Sequence, residues 1–216
     1  MENALEPIEY SEQTSIVSLD KILIAAEIEF ADKGFDGAGM KALAKRANVS
    51  QSLLHYHFGS KDKLYEAVIR ERSRLINDER MTLLKEIDLK QSDALENIFG
   101  ALFAPALGPS GGGRAYARIF AGLIAGSERD QVLVRKYYDS TASQFIDALE
   151  IVLPDCSRFL AAQIYQFALG VLAPVIARDG RAERLGNQTT ERLNDDASVE
   201  QLVRFVVGGA RAILSE

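Results

Sequence analysis

Apolar residues recur at three- and four-residue spacing along nearly the whole chain, the period of helices that bury one face. Leu19, Ile22, Leu23, Ala26 and Phe30 predict a first helix, with Ser18 suited to cap its start and Gly34 to stop it. Met40, Leu43, Ala44 and Ala47 give a short second stripe, Asn48-Val49 a turn, and Leu54 with Phe58 the inward side of a short third helix. Ser60 can cap a longer fourth helix from 61 into the mid-80s, carrying Leu64, Val68, Leu75 and Leu83. Leu95, Ile98, Phe99, Leu102 and Phe103 predict a buried helix that breaks at Pro105, and the glycine-rich run 108–113 reads as a mobile surface loop. Helices are expected over 114–126, 128–152 and 157–178, then a polar loop over 181–197 and a last helix over 198–214. Alternation of period two is not found, so the chain reads as all-α.

Two short helices joined by a tight turn make a helix-turn-helix, whose second member enters the major groove of DNA. The expected division is a flexible N-terminal segment 1–17, a three-helix DNA-binding domain 18–65, and a helical ligand-binding and dimerisation domain 66–216. With Leu54 and Phe58 inward, helical geometry turns Ser52, Leu53, His55 and Tyr56 outward, and Gln51 projects from the first turn. Gln51 can donate and accept at once, which suits adenine N6 and N7, and Leu53 suits a thymine methyl. Ser52 can touch a base or a phosphate. Tyr56, His55, His57 and Lys61 are placed for phosphates, and Lys41 for a phosphate or a guanine. Lys41, Lys45 and Arg46 also fit an ordinary solvated face. His55 and His57 stand two apart, point in different directions, and predict no shared metal.

The net charge of −6 changes meaning once it is located. Between residues 33 and 65, six lysines and arginines face two aspartates, a local excess of four positive charges that leaves ten negative ones in excess elsewhere. Phosphate contact needs nearby positive charge, because screening removes distant charge. The hydrophobic fraction of 47% is ordinary for a globular protein, and no apolar run was expected to match the roughly 20 residues of a membrane span. The acidic start lacks a signal-peptide pattern, and one cysteine, Cys156, makes no internal disulfide; both point to the cytoplasm.

The span 19–68 resembles the N-terminal domain of TetR-family transcriptional regulators. The resemblance rests on Ile24-Ala25-Ala26 with Phe30-Ala31-Asp32-Lys33-Gly34-Phe35, on Leu43-Ala44 with Ala47-Asn48-Val49-Ser50, and above all on the run Leu54-His55-Tyr56-His57-Phe58-Gly59-Ser60-Lys61-Asp62-Lys63-Leu64. It covers about a quarter of the chain. It implies a helical homodimer with a ligand-responsive C-terminal domain. Two positions depart from the family pattern: Ala38-Gly39 where a hydroxyl commonly caps the second helix, and His55 where Tyr is common.

Enzyme readings find little support. Both histidines lie in the third helix, and HExxH, paired CxxC and GxxxxGK[ST] do not occur. Cys156 has no evident activating base, so a structural thiol is expected, with redox sensing left open. No cofactor is implied. In the second domain, Phe99, Phe103, Tyr116, Phe120, Tyr138, Phe145 and Tyr165 are candidates to line an apolar pocket, with Arg118 and tyrosine hydroxyls as polar anchors. Leu160, Ile164, Phe167 and Val171, with Leu202, Val206, Gly209 and Ile213, are candidates for a dimer face, although an intramolecular core fits the same pattern. Pro174 should kink or end its helix. The sequence thus reads as a regulator, a dimeric repressor released from a pseudo-palindromic operator by a small apolar or amphipathic ligand. The competing reading is a helical binding module without specific DNA recognition.

Overall fold

The computed structural model describes residues 8–124, 126–178, 180–187 and 195–214, with side chains described from Leu19 onward. Eleven α-helices and one 3₁₀ turn make up the order, with no strand among the described residues. The expected all-α class holds. The chain divides into two compact units, 1–69 and 70–216, and the division falls inside one continuous helix.

In the first unit, α1 (Ile8–Gly37) begins ten residues before Ser18, so Ser18 lies within a helix and not at its start. Only 1–7 of the segment expected to be flexible falls outside the described residues; 8–17 is helical. Gly34 does interrupt α1: its φ of 68° and ψ of 172° leave the helical region, and a last turn follows, with Ala38 N–H donating to Gly34 O at 3.2 Å. That left-handed φ costs a glycine little. α2 (Met40–Ala47) ends on Asn48 in the left-handed conformation, φ 55°. α3 (Gln51–Phe58) is capped by Ser50, whose hydroxyl accepts from Leu53 N–H at 3.0 Å. α4 (Lys61–Lys85) starts with Ser60 Oγ accepting from Lys63 N–H at 3.2 Å. Ile22, Ala26, Phe30, Leu43, Leu54 and Leu64 are buried and form the core of this unit. Arg46 fastens α2 to α1 through Glu29 at 2.8 Å and Asp32 at 3.1 Å.

The second unit is built from the rest of α4, α5 (Ala94–Leu107), α6 (Gly113–Ile124), α7 (Glu128–Tyr137), α8 (Asp139–Val152), α9 (Arg158–Ala177), α10 (Arg181–Leu185) and α11 (Asp195–Ile213). Four sequence expectations fail here. Pro105 does not end α5, which continues to Leu107 because Ala101, Leu102, Phe103, Ala106 and Leu107 are all buried around it. The glycine run is not a loose surface loop. Residues Pro109–Gly111 form a 3₁₀ turn, and a Cβ on buried Gly111 would meet Ala106 O at 1.9 Å. The helix expected over 128–152 divides at Tyr138, whose ring is drawn into the core. The expected 181–197 loop holds the short α10, and residues 188–194 of it lie outside the described residues.

α9 also corrects an expectation about length. Its 20 residues are long and apolar enough to cross a membrane by length and composition alone. Pro174 neither ends nor visibly divides it. One side, with Ala161, Ile164, Ala168 and Leu172, is buried inside this unit, while Phe159 and Phe167 on another side are 73% and 57% exposed.

Candidate nucleic-acid interface

α3 is eight residues long, too short to persist alone, so its orientation comes from its surroundings. Leu54 is fully buried and pins the inner side. Phe58, expected to be buried like Leu54, is only half-buried, with His57 tilted against it at 6.3 Å between ring centroids. The left-handed Asn48 folds α2 back, and Val49 N–H reaches Ala44 O at 3.0 Å, which closes the turn between the helices.

The outward side carries the expected residues together. Gln51, Ser52, Leu53, His55 and Tyr56 are exposed, and Tyr56 is the extreme at 84%. A tyrosine ring left that bare on a rigid helix lacks a protein partner for most of its area. His57 is half-buried and packs edge-on to Tyr56 at 5.3 Å. His55 sits on the helix end: its Nδ1 meets Gly59 O at 2.9 Å and must donate, because a carbonyl only accepts. In the neutral ring Nε2 is then an acceptor, and the Gln51 amide approaches it at 3.5 Å. Lys41 is exposed on α2, whose first turn has no acidic residue and whose bare N-terminus follows Gly39. Unpaired N–H groups there and a lysine beside them favour an anion.

Lys61 differs from its expected place. Its Nζ donates to Phe35 O at 2.9 Å and Asp36 O at 3.4 Å, and lies 4.4 Å from the centre of the Phe35 ring. Phe35 in turn meets Tyr65 and Phe30 at 5.1 and 6.2 Å. The ammonium therefore caps the last carbonyls of α1, a role that sequence spacing did not reveal because the partners are backbone atoms 25 and 26 residues away.

In the second unit, the predicted pocket aromatics do converge, as packed interior. Phe99 and Phe103 stack at 6.0 Å, Phe145 meets Tyr165 at 6.3 Å, and Phe120 meets Tyr138 at 6.2 Å. The Tyr116 and Tyr138 hydroxyls share a short hydrogen bond. Burial pushes the Tyr138 hydroxyl up to about 12, against the lowering effect of Tyr116 and Arg80, and also raises Tyr165. Arg118, the expected polar anchor, is exposed. Two charged residues that do join the aromatics are Arg72, 5.9 Å from the Tyr116 ring, and Arg80, 1% exposed, both of which sequence reasoning missed. The signal for Arg80 was available: Ile69, Ser73, Ile76, Arg80 and Leu84 share the buried face of α4 at three- and four-residue steps.

Of the candidate dimer residues, Ile164, Leu202 and Val206 are buried within this unit, the intramolecular alternative. Leu160 and Val171 are half-buried; Phe167, Gly209 and Ile213 are exposed. The sequence reading overlooked Phe159 and Phe205, 73% and 70% exposed, on the same two helices. Cys156 is half-buried, and burial first and Glu150 second raise its thiol, the opposite of activation. No group of acidic, histidine and cysteine side chains suited to a metal occurs among the described residues.

Comparison with known proteins agrees with this geometry. Residues 22–68 match the model of bacterial regulatory proteins of the tetR family, and residues 96–209 match the tetracyclin repressor-like C-terminal domain. The HTH-type transcriptional activator FasR of Mycolicibacterium smegmatis is 30% identical over 195 residues, 88% of this chain and 81% of that one. IcaR of Staphylococcus aureus, a negative transcriptional regulator of a biofilm operon, is 39% identical over 51 residues, 24% of this chain and 27% of its own. The fold matches the fatty acid degradation regulator FadR of Bacillus halodurans with a TM-score of 0.63 at 16% identity, covering 88% of this chain and 98% of that one. It matches PfmR of Thermus thermophilus equally, TM-score 0.63 at 16% identity over 86% and 96%. A capped, outward-facing third helix on a rigid helical head, followed by a matching C-terminal domain, places this chain in the TetR family as a DNA-binding transcriptional regulator.

Proposed function

We propose that the protein is a homodimeric repressor that holds a pseudo-palindromic operator until a small amphipathic molecule binds its second unit. The observation that carries the DNA side is the exposed row Gln51, Ser52, Leu53 and Tyr56 on a helix fixed by buried Leu54 and by the Ser50 cap. Gln51, Ser52 and Leu53 read bases; Lys41, Tyr56 and His57 hold phosphates. His55 supports Gln51 from within the helix as well as facing the backbone of DNA. Lys61 keeps one N–H for a phosphate beside its two carbonyl contacts. Two such heads on a dimer would meet successive major grooves about 34–36 Å apart.

The exposed aromatics Phe159, Phe167 and Phe205, with Gly208 and Gly209 allowing close backbone approach, support dimerisation through α9 and α11. Their exposure also accounts for the apolar length of α9 without a membrane. A DNA-bound regulator of this kind works in the cytoplasm. The coupling we infer runs along α4, which begins in the first unit and continues into the second, so that a ligand displacing its later turns shifts its start. The relatives carry both signs of control in their names, an activator and a negative regulator. Repression is the reading favoured here because a dimer spanning its operator blocks a promoter by occupancy alone.

The test is a reporter placed behind the selected operator, assayed beside gel-shift binding. Deleting the protein should raise expression, and Phe205→Glu should yield monomers by light scattering with operator affinity lost. Falling expression on deletion would contradict repression, and a dimer persisting in Phe205→Glu would contradict the assigned face.

A further inference from the structure

We propose that the second unit contains a buried carboxylate-recognition site built on Arg80, so that the effector is an amphipathic monocarboxylic acid. The inference deepens the ligand-responsive reading above and rests on it for its regulatory meaning.

Arg80 is 1% exposed and carries five N–H donors in a planar fork. Its Nε donates to Leu102 O on α5 at 2.9 Å. Among the described residues this is its one hydrogen bond, and no carboxylate pairs with it. A buried guanidinium stays charged, and an unpaired charge away from water is strongly unfavourable. Four of its five N–H donors are thus left for a ligand.

The surrounding groups describe what fits. Tyr138 and Tyr165 feel the charge of Arg80, yet burial holds both hydroxyls protonated far beyond neutral pH, so neither is its counter-ion. They remain neutral donors. One turn before Arg80, Asn77 is 9% exposed; its Nδ2 donates to Tyr137 O at 2.9 Å, while its Oδ1 is buried and receives no hydrogen bond. The cation without a counter-ion marks the corner where an anion fits, while the Asn77 oxygen beside it is an acceptor that takes a donor and not the carboxylate. Phe99, Phe103 and Phe145 are fully buried, and a second cation, half-buried Arg72, lies 5.9 Å from the Tyr116 ring and donates to Ser110 O at 3.1 Å.

A carboxylate matches the guanidinium fork with two parallel hydrogen bonds, and its single negative charge cancels the single positive one. A phosphate monoester brings a second charge that Arg80 alone does not cancel. An alcohol cancels nothing, and an amine adds like charge. The tail must be apolar to replace contacts among the phenylalanines.

The full-length protein is titrated with octanoate, octanol, octylamine and octyl phosphate by isothermal calorimetry, below their aggregation thresholds. Octanoate is expected to bind at least tenfold more tightly than each of the others. Arg80→Met should abolish that preference while the thermal midpoint without ligand stays level or rises, because an unpaired buried charge is gone. Tyr138→Phe should weaken octanoate severalfold with octanol unchanged, and it carries the test if Arg80→Met does not fold. Equal binding of octanoate and octanol, no octanoate binding, tighter octyl phosphate, or a preference that survives Arg80→Met would each overturn the site. Gel shifts on the same preparation separate the two readings. Normal DNA binding without carboxylate preference removes only the site, and carboxylate preference without DNA binding removes only the operator reading.

Discussion

Replacing Lys61 with Met separates two roles that its place in the helix-turn-helix motif would confuse. The ammonium donates to Phe35 O at 2.9 Å, more weakly to Asp36 O at 3.4 Å, and sits 4.4 Å over the Phe35 ring. A hydrogen bond with a charged partner contributes about 1.5–3 kcal/mol net, and a partly exposed cation–π contact about 0.5–1 kcal/mol. Lys61 is half-buried and Met keeps part of the apolar stem, so the loss should be about 2–3 kcal/mol. Local opening of the head would then become roughly 30- to 150-fold more frequent, at tenfold per 1.4 kcal/mol. Amide hydrogen exchange across residues 40–58 reads this directly. The companion variant Lys41→Met should leave exchange unchanged and flatten the log-affinity against log-salt slope by about 0.9, the signature of one phosphate contact. Lys61→Met should flatten it less. If Lys61→Met leaves exchange untouched and removes a full phosphate contact from the slope, the structural role given to Lys61 is wrong.

Other expectations follow from the same contacts. Leu54→Ala empties a fully buried position under α3 and should cost about 2–5 kcal/mol in the head, with operator binding lost while the second unit keeps its own exchange protection. Tyr138, held protonated to about 12 by burial, keeps a proton that the unfolded chain releases near 10. The folded state thus binds more protons in that window, and stability falls by roughly 2–3 kcal/mol as pH rises from about 10 to 12. Alkaline unfolding of Tyr138→Phe should lack that component, and an unchanged profile would contradict the assignment. The Cys156 thiol, raised by burial and by Glu150, should react with iodoacetamide more slowly at neutral pH than an unhindered cysteine; a faster reaction would mark it as activated.

The head was legible because its punctuation is local. Ser50, Asn48, Gly59 and Ser60 act within a few residues of themselves, through side-chain caps or left-handed backbone, and they fix the bounds of α2 and α3. The second unit was less so, because burial there overrides local preference. Pro105 is a helix breaker by covalent structure, yet apolar neighbours on every side keep α5 intact around it. Tyr138 breaks a pattern that reads as one helix, since its ring and hydroxyl find partners in Phe120 and Tyr116. Arg80 lay hidden among the charges of a helix whose stretch Glu71-Arg72-Ser73-Arg74 resembles a solvated surface; only its place on the apolar stripe betrays it. Phe205 was passed over because spacing alone does not tell which side of an amphipathic helix meets its own unit and which is left bare.

Selection of bound duplexes from a random pool at low salt, run with the wild type and with Gln51→Ala, is the most direct trial of the account. The wild type should enrich one two-fold-related sequence with half-sites a helical turn or so apart, and Gln51→Ala should relax or change preference at a matched position in both halves. An unenriched pool, or the same sequence from both proteins, would contradict the claim that α3 reads DNA through its outward row.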